Sequence, residues 1–173
     1  MSDGAAGEAS RMSVLFVCMG NICRSPAAEA IFRAALRQTS LGEAVLVDSA
    51  GTHDYHLGEP PDQRMQKAAA LRGYDLSPLR ARVVTPVDLV QFDYVLAMDR
   101  ANLDHLERMH HPESRGPVRL LLDYSRSRPG GEVPDPYYGG HQGFDLVLDL
   151  VQEACEGLLA EVRRKLGQPL GFR

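Results

Sequence analysis

Apolar and polar positions form alternating blocks along this chain, and the blocks predict strands and helices in turn. Residues 12–17 are almost wholly apolar, which is typical of a buried strand. Apolar residues then recur at helical spacing from Pro26 to Leu36, and a second helical stripe runs from Phe144 to Val162. Shorter blocks predict strands at 45–50, 93–98 and 117–122, and helices at 62–72, 86–91 and 101–109.

This alternation predicts an α/β fold in which helices cover both faces of a parallel sheet. Ligands of such sheets bind at the carboxyl ends of the strands, so the loop after the first strand lies at the expected binding edge. Residues 1–11, rich in glycine, alanine and serine, are expected to form a flexible leader. Residues 12–173 are expected to form a single domain with a full core.

The loop between the first strand and the first helix contains the most informative pattern. Cys18 and Arg24 stand six positions apart, with a Gly-Asn turn between them. Backbone N–H groups of such a loop converge on an anion above a helix N-terminus, a thiolate at its base is a nucleophile, and a guanidinium binds two phosphate oxygens. The alternative is a small core cysteine with the spacing arising by chance. The pattern favours Cys18 as nucleophile in a phosphate-binding loop of Met19, Gly20, Asn21, Ile22, Cys23, Arg24 and Ser25.

A second candidate is Asp135, which lies between two prolines and ahead of a Gly-Gly pair. An ordinary turn would explain this pattern. Expulsion of an alkoxide or phenolate from phosphorus, however, needs a proton donor opposite the nucleophile. Asp54 and Asp62 are weaker candidates for that role, because their surroundings are typical of surface or turn residues.

The chain closely resembles the low-molecular-weight protein tyrosine phosphatases, from about residue 12 to residue 166. The segments that carry the likeness are 14–26, 47–52, 58–62, 92–99 and 135–139. The resemblance implies a flavodoxin-like, three-layer fold with a four-stranded parallel sheet of order 2-1-3-4. It also implies hydrolysis of phosphotyrosine and small aryl phosphates through a cysteinyl-phosphate, without a metal or cofactor. In that reaction Cys18 attacks phosphorus, Arg24 binds the phosphate and stabilises the transition state, and Asp135 is the general acid and base.

The same resemblance implies supporting roles around the loop. Ser25 steadies the Cys18 thiolate, although a helix N-cap alone would explain a serine there. Asn21 is expected to tolerate a left-handed conformation and to brace the loop together with Ser49. The family often completes this network with a histidine, but none occurs between residues 73 and 91, so the network is expected to be modified.

The three cysteines show no disulfide-framework spacing, which makes a reducing cytoplasm the expected location. The resemblance implies that Cys23 is a resolving thiol, able to form a reversible disulfide with oxidised Cys18. A small buried residue is the alternative for Cys23. Cys155 falls in the apolar stripe of the last helix and is expected to be a core residue.

Substrate choice is expected to depend on the walls of the pocket. The resemblance implies that Tyr55 and Tyr137 lie on loops at the binding edge, where they would flank a slot deep enough for a phosphotyrosine ring, with His53 and Asp54 tuning its rim. Packed surface aromatics are the alternative for both tyrosines. None of the six histidines has a spacing that predicts a metal site.

A net charge of -4 and a pI near 5.8 argue against a nucleic-acid or anionic-membrane protein, and no apolar stretch approaches a membrane span. The expected partner is a tyrosine-phosphorylated protein, with a bacterial tyrosine kinase among the candidates, and the expected state is a monomer.

Three rival functions differ in what they require. A thioredoxin-coupled arsenate reductase shares the loop but needs two further cysteines, which residues 68–96 lack. A protein-arginine phosphatase tends to carry threonine where Ile22 stands. A non-catalytic phosphoprotein-binding module would need neither the thiol of Cys18 nor the acid of Asp135.

Overall fold

Strand β1 lies inside a four-stranded parallel sheet, and the computed structural model describes residues 11–167. The strands are β1 (Met12–Cys18), β2 (Val45–Gly51), β3 (Tyr94–Ala97) and β4 (Arg119–Leu120). Their order is β2-β1-β3-β4, which confirms the order that the resemblance implied. Cys18 pairs with Gly51, and Val17 with Ala97, so the carboxyl ends of the three longer strands meet at one edge.

The described α-helices lie on the two faces of this sheet. They are α1 (Arg24–Arg37), α2 (Gln63–Ala70), α3 (Pro86–Gln91), α4 (Arg100–Arg108) and α5 (His141–Lys165). Strand β1 is buried along its whole length because both faces are covered. Its Val14 and Phe16 belong to the core beneath α1 and α5, whereas Leu15 and Val17 belong to the core beneath α3 and α4.

The fourth strand is shorter than the predicted 117–122. Only Arg119 and Leu120 pair with β3, and Leu121–Tyr124 form a 3-10 turn. Leu121 and Leu122 are nevertheless fully buried in the core beneath α5. An apolar run reports burial and does not by itself distinguish a strand from a buried turn, which is why the prediction was wrong here.

The other boundaries differ from the predictions by a few residues at most. Helix α1 begins at Arg24 with Cys23 as its N-cap residue, so Pro26 is the third helical residue and Ser25 is not the N-cap. Helix α2 ends at Ala70 rather than at residue 72. The predicted leader lies outside the described residues except for Arg11, whose N–H donates to the carbonyl oxygen of Ala44 at 2.8 Å.

Within residues 11–167, no helix is both long enough and apolar enough to cross a membrane.

Candidate active site

The loop after β1 is held from outside through its carbonyl oxygens. Three of them accept hydrogen bonds from backbone N–H groups of neighbouring segments: Thr52 to Cys18 at 2.9 Å, His53 to Met19 at 3.0 Å and Asp62 to Ile22 at 2.8 Å. In a trans peptide the C=O and N–H groups point in opposite directions. The N–H groups of these three peptide units therefore turn towards the inside of the loop, where they favour an anion.

Asn21 fixes the sharp turn within this loop. It has a φ of 58° and is the one non-glycine residue in the described part of the chain with a positive φ, as predicted for this position. Its side-chain amide donates to the hydroxyls of Ser25 and Ser49 at 2.8 and 3.0 Å. Its side-chain oxygen accepts from the N–H of Arg82 at 3.0 Å. One buried side chain thus ties the loop to α1, to β2 and to the segment that precedes α3.

The hydroxyl of Ser25 lies beside the thiol at the base of the loop. The distance from Ser25 Oγ to Cys18 Sγ is 3.0 Å, and a weaker contact of 3.3 Å leads to the carbonyl oxygen of Ala50. Because the Asn21 amide already donates to this oxygen, the single hydroxyl proton is free to point at sulfur or at the carbonyl. A hydrogen bond to sulfur stabilises the thiolate form.

Glu29 extends this network beyond Ser49. Its carboxylate is almost fully buried and accepts from Ser49 Oγ at 2.7 Å. The guanidinium of Arg33, one turn later on α1, donates twice to its other oxygen, at 3.1 and 2.7 Å. Glu29 was not predicted from the sequence. Its signal was a spacing of four residues that places Ser25, Glu29 and Arg33 on one face of a helix.

Arg24 is buried and firmly held. Its Nη1 donates to Asp99 Oδ2 at 2.7 Å and to the carbonyl oxygen of Val133 at 3.0 Å, and Nη2 lies 3.5 Å from Asp135 Oδ2. Burial by itself lowers the pKa of Arg24, but the negative charge of Cys18 and the bond to Asp99 outweigh burial and raise it. Arg24 is therefore a fixed positive charge beside the thiol.

Asp99 was not predicted, although it lies two residues after β3 at the binding edge of the sheet. Its Oδ1 accepts from the N–H of Asn102 at 2.8 Å as the N-cap of α4, while its Oδ2 holds Arg24. The same carboxylate thus joins a helix terminus to the loop.

A cavity of about 90 Å³ opens above the loop. It brings together residues from the loop, from the segment after β2 and from the segment before α5. They are Cys18, Met19, Gly20, Ile22, Cys23, Arg24, Tyr55, His56, Asp135, Tyr137 and Tyr138. The predicted nucleophile, arginine, acid and two tyrosine walls therefore lie around one small space, and His56 and Tyr138 join them without having been predicted.

The predicted rim residues lie just outside this space. His53 stacks on Tyr55 with 5.1 Å between ring centroids, and Asp54 is exposed and does not line the cavity. His56 lines the cavity in their place, with its Nδ1 2.9 Å from Glu59 Oε1.

The other two cysteines are buried and free. Burial, reinforced by the negative charges of Asp62 and Cys18, raises the pKa of the Cys23 thiol. Burial in the core likewise raises the pKa of Cys155, which packs in the stripe of α5 as predicted. Both therefore remain neutral thiols at neutral pH.

A family model described as "Low molecular weight phosphotyrosine protein phosphatase" matches residues 13–168. The chain belongs to this family. The phosphatase is 45% identical to a low-molecular-weight protein-tyrosine-phosphatase of Streptomyces coelicolor over 156 residues, which cover 88% of this chain and 94% of the relative. A crystal structure of a protein tyrosine phosphatase from Entamoeba histolytica is similar with a TM-score of 0.85 and 40% identity, covering 90% of this chain and 99% of the other. The crystal structure of a Drosophila arginine phosphatase is similar with a TM-score of 0.79 and 33% identity, covering 88% of this chain and 98% of the other.

Proposed function

We propose that this phosphatase hydrolyses phosphotyrosine in proteins through a cysteinyl-phosphate on Cys18. The observation that carries the proposal is the shared cavity, in which Cys18, Arg24 and Asp135 face the same 90 Å³ between Tyr55 and Tyr137. A phosphate seated in the loop would place phosphorus above sulfur, its equatorial oxygens against the loop N–H groups, and its ester oxygen on the side of the acid loop.

The reaction then has two displacements at phosphorus. In the first, the Cys18 thiolate forms an S–P bond while the ester P–O bond breaks, and Asp135 donates its proton to the departing tyrosine oxygen. In the second, the ionised Asp135 takes a proton from water, the water oxygen bonds to phosphorus, and the S–P bond breaks to release phosphate and thiolate. Arg24 and the loop N–H groups stabilise the charge that develops on the equatorial oxygens in both steps. The hydroxyl of Ser25 stabilises the thiolate as nucleophile and as leaving group.

The walls support an aryl phosphate as substrate. Tyr55 and Tyr137 offer aromatic faces, and Ile22 adds an apolar side chain to the lining of the cavity. A phosphoserine is too short to reach the loop past such walls. Phosphoarginine is the second candidate, supported by the similarity to the Drosophila arginine phosphatase. Ile22 favours the aryl ester, because arginine phosphatases tend to carry threonine there.

A reducing compartment suits this chemistry, since a thiolate nucleophile must stay unoxidised. Three free cysteines support the cytoplasm as the site of action. Membership of the phosphotyrosine protein phosphatase family supports a tyrosine-phosphorylated protein as the partner.

Steady-state hydrolysis by wild type, Cys18→Ser and Asp135→Asn tests the proposal. We expect Cys18→Ser to abolish turnover of a phosphotyrosine peptide, and Asp135→Asn to lower kcat/KM by about 10²–10⁴-fold, the usual contribution of a general acid. Matched phosphoserine and phosphoarginine peptides should be turned over far more slowly. Activity that survives Cys18→Ser would refute the nucleophile, faster turnover of phosphoarginine would favour the second candidate, and binding without turnover would indicate a phosphoprotein-binding module.

A further inference from the structure

Arg64, in the first turn of α2, reaches across to the loop that carries Asp135. Its Nη2 donates to the carbonyl oxygen of Tyr137 at 2.9 Å. Its guanidinium also stacks on the ring of Phe144, with 4.8 Å between the guanidinium carbon and the ring centroid. This side chain therefore spans from α2 to the acid loop and to the start of α5, with a defined position at each contact.

The guanidinium of Arg64 is fixed to the phosphate-binding loop through Asp62. The Asp62 carboxylate accepts from Arg64 Nε at 3.1 Å and from Nη2 at 2.8 Å, and its Oδ1 caps α2. The backbone N–H of Asp62 donates to the carbonyl oxygen of Ile22 in the loop at 2.8 Å. Partial burial opposes ionisation of Asp62, but the hydrogen bonds from Arg64 outweigh it and lower the pKa of Asp62, so the carboxylate stays charged.

The same guanidinium holds Tyr137, the residue that orients the acid. Tyr137 accepts from Arg64 at its carbonyl oxygen, and its N–H donates to Asp135 Oδ1 at 3.0 Å. A rotation of Tyr137 would therefore move the carboxyl group of Asp135. The ring of Tyr137 lies 5.6 Å from the guanidinium carbon and also lines the cavity, so one residue couples the wall to the acid.

We propose that Arg64 is a positioning residue which sets the distance between the phosphate-binding loop and the acid loop, so that Asp135 faces the leaving oxygen. The contacts Ile22–Asp62–Arg64–Tyr137–Asp135 form the strap that does this. The inference rests on the proposed function of Asp135 as general acid. Proton transfer requires close placement of donor and acceptor, whereas an exposed ion pair contributes little to stability, so loss of Arg64 affects catalysis more than folding.

The test compares two substrates that need the acid to different degrees. A phosphotyrosine peptide has a poor leaving group, with a pKa of about 10 for the free phenol, whereas p-nitrophenolate leaves more easily and needs less protonation. For Arg64→Met, which keeps a stem over Phe144, we expect kcat/KM to fall about 10-fold for the peptide and less than about 3-fold for p-nitrophenyl phosphate. Arg64→Lys, which keeps the charge and one donor, should restore part of the loss.

Arg72, in the turn that follows α2, offers a matched control. Its guanidinium links the turn after α2 to Asp149 of α5 at 2.9 Å and does not contact the acid loop. Arg72→Met should lower both substrates equally or not at all. Thermal unfolding of each variant identifies any that fails to fold, and Arg64→Lys then carries the comparison.

A double-mutant cycle separates positioning from general structural support. In the Asp135→Asn background, Arg64→Met should cause no further loss with the phosphotyrosine peptide, because the group that it positions has already been removed. Additive losses, equal losses for the two substrates, or the same pattern in Arg72→Met would overturn the strap. If Asp135→Asn itself affected both substrates alike, the proposed role of Asp135 would fail first, and the strap with it.

Discussion

Glu29 shows how a single buried carboxylate can support a site that it does not touch. It lies two hydrogen bonds from the loop, through Ser49 to Asn21. Buried ion pairs gain little net stability over apolar residues of the same shape, but breaking one leaves an unpaired charge at high cost. The geometry around Glu29 is thus more informative about order in the loop than about overall stability.

Replacement of Glu29 tests this network at one residue. Glu29→Gln keeps the shape but replaces one of two buried acceptor oxygens with an NH2 group, which faces the donor of Ser49 or Arg33. We therefore expect the free energy of unfolding to fall by about 1–3 kcal/mol, the cost of an unmatched buried polar group. Urea denaturation measures the change. Glu156→Gln, on the exposed face of α5, is the matched control and should stay within about 0.5 kcal/mol of wild type. Equal stability of the two variants would show that the network does not depend on the carboxylate.

Gly157 marks the point where α5 touches the 3-10 turn Leu121–Tyr124. A Cβ at this position would overlap the carbonyl oxygen of Tyr124, so the helix can lie this close only because the residue is glycine. Helix propensity alone predicts the opposite, since alanine is favoured over glycine by about 1 kcal/mol inside a helix. The steric overlap and the helix propensity change stability in opposite directions. The sign of the measured change therefore shows which of them dominates.

We expect Gly157→Ala to destabilise the protein by about 1–3 kcal/mol, because backbone atoms must shift to relieve the overlap. Gly143→Ala in the same helix is the control, since a Cβ there would meet Pro136 at an ordinary 3.5 Å and helix propensity should dominate. Thermal or chemical unfolding compares the two. A stabilised Gly157→Ala variant would mean that α5 and the turn separate at little cost.

Elements were predictable from the sequence where the spacing or extent of their apolar residues indicates one type of secondary structure. Strand β1 was, because its short apolar run ends at a glycine-containing loop, and helix α1 was, because its apolar positions recur at helical spacing. Strand β4 was not, since Leu121 and Leu122 are as buried in their turn as they would be in a strand. The N-cap rule also fails for Ser25, because its hydroxyl forms hydrogen bonds with Cys18 and Asn21 instead of capping the helix.

The candidate site was predictable where its reactive residues lie close together in the sequence or in a distinctive local motif. Cys18 and Arg24 share one loop, and Asp135 stood out through its prolines and the resemblance. Asp99 and Arg64 were missed because Arg24 and Tyr137, which they contact, lie on other elements, and pairing across a fold leaves almost no local signal. Glu29 was missed although its four-residue spacing to Arg33 was a local signal. The role of Cys23 as a resolving thiol stays a prediction.

At the scale of the whole molecule, the sheet gathers the site at one edge. The loop after β1, Asp99 after β3 and the segment after β2 converge there because parallel strands end on the same side. The rings of His53 and His105 lie close together beside this edge, with 5.8 Å between ring centroids. Burial lowers the pKa of His105 from its ordinary 6.5, and positive charge on His53 and Arg108 lowers it further.

This shift links folding to pH in a defined direction. Below about pH 6.5 the unfolded chain takes up a proton on His105 that the folded protein binds less readily, so the free energy of unfolding rises with pH in that range and falls on acidification. We expect His105→Asn to flatten this dependence, so that the wild type loses more stability than the variant between pH 7 and pH 5, a window set by the ordinary histidine pKa of about 6.5. Urea denaturation at several pH values measures both slopes, and His110→Asn, at an exposed position after α4, should follow the wild type. If the stability of wild type and of His105→Asn changed with pH in the same way, folding would not oppose protonation of His105, and acid destabilisation would arise from other groups.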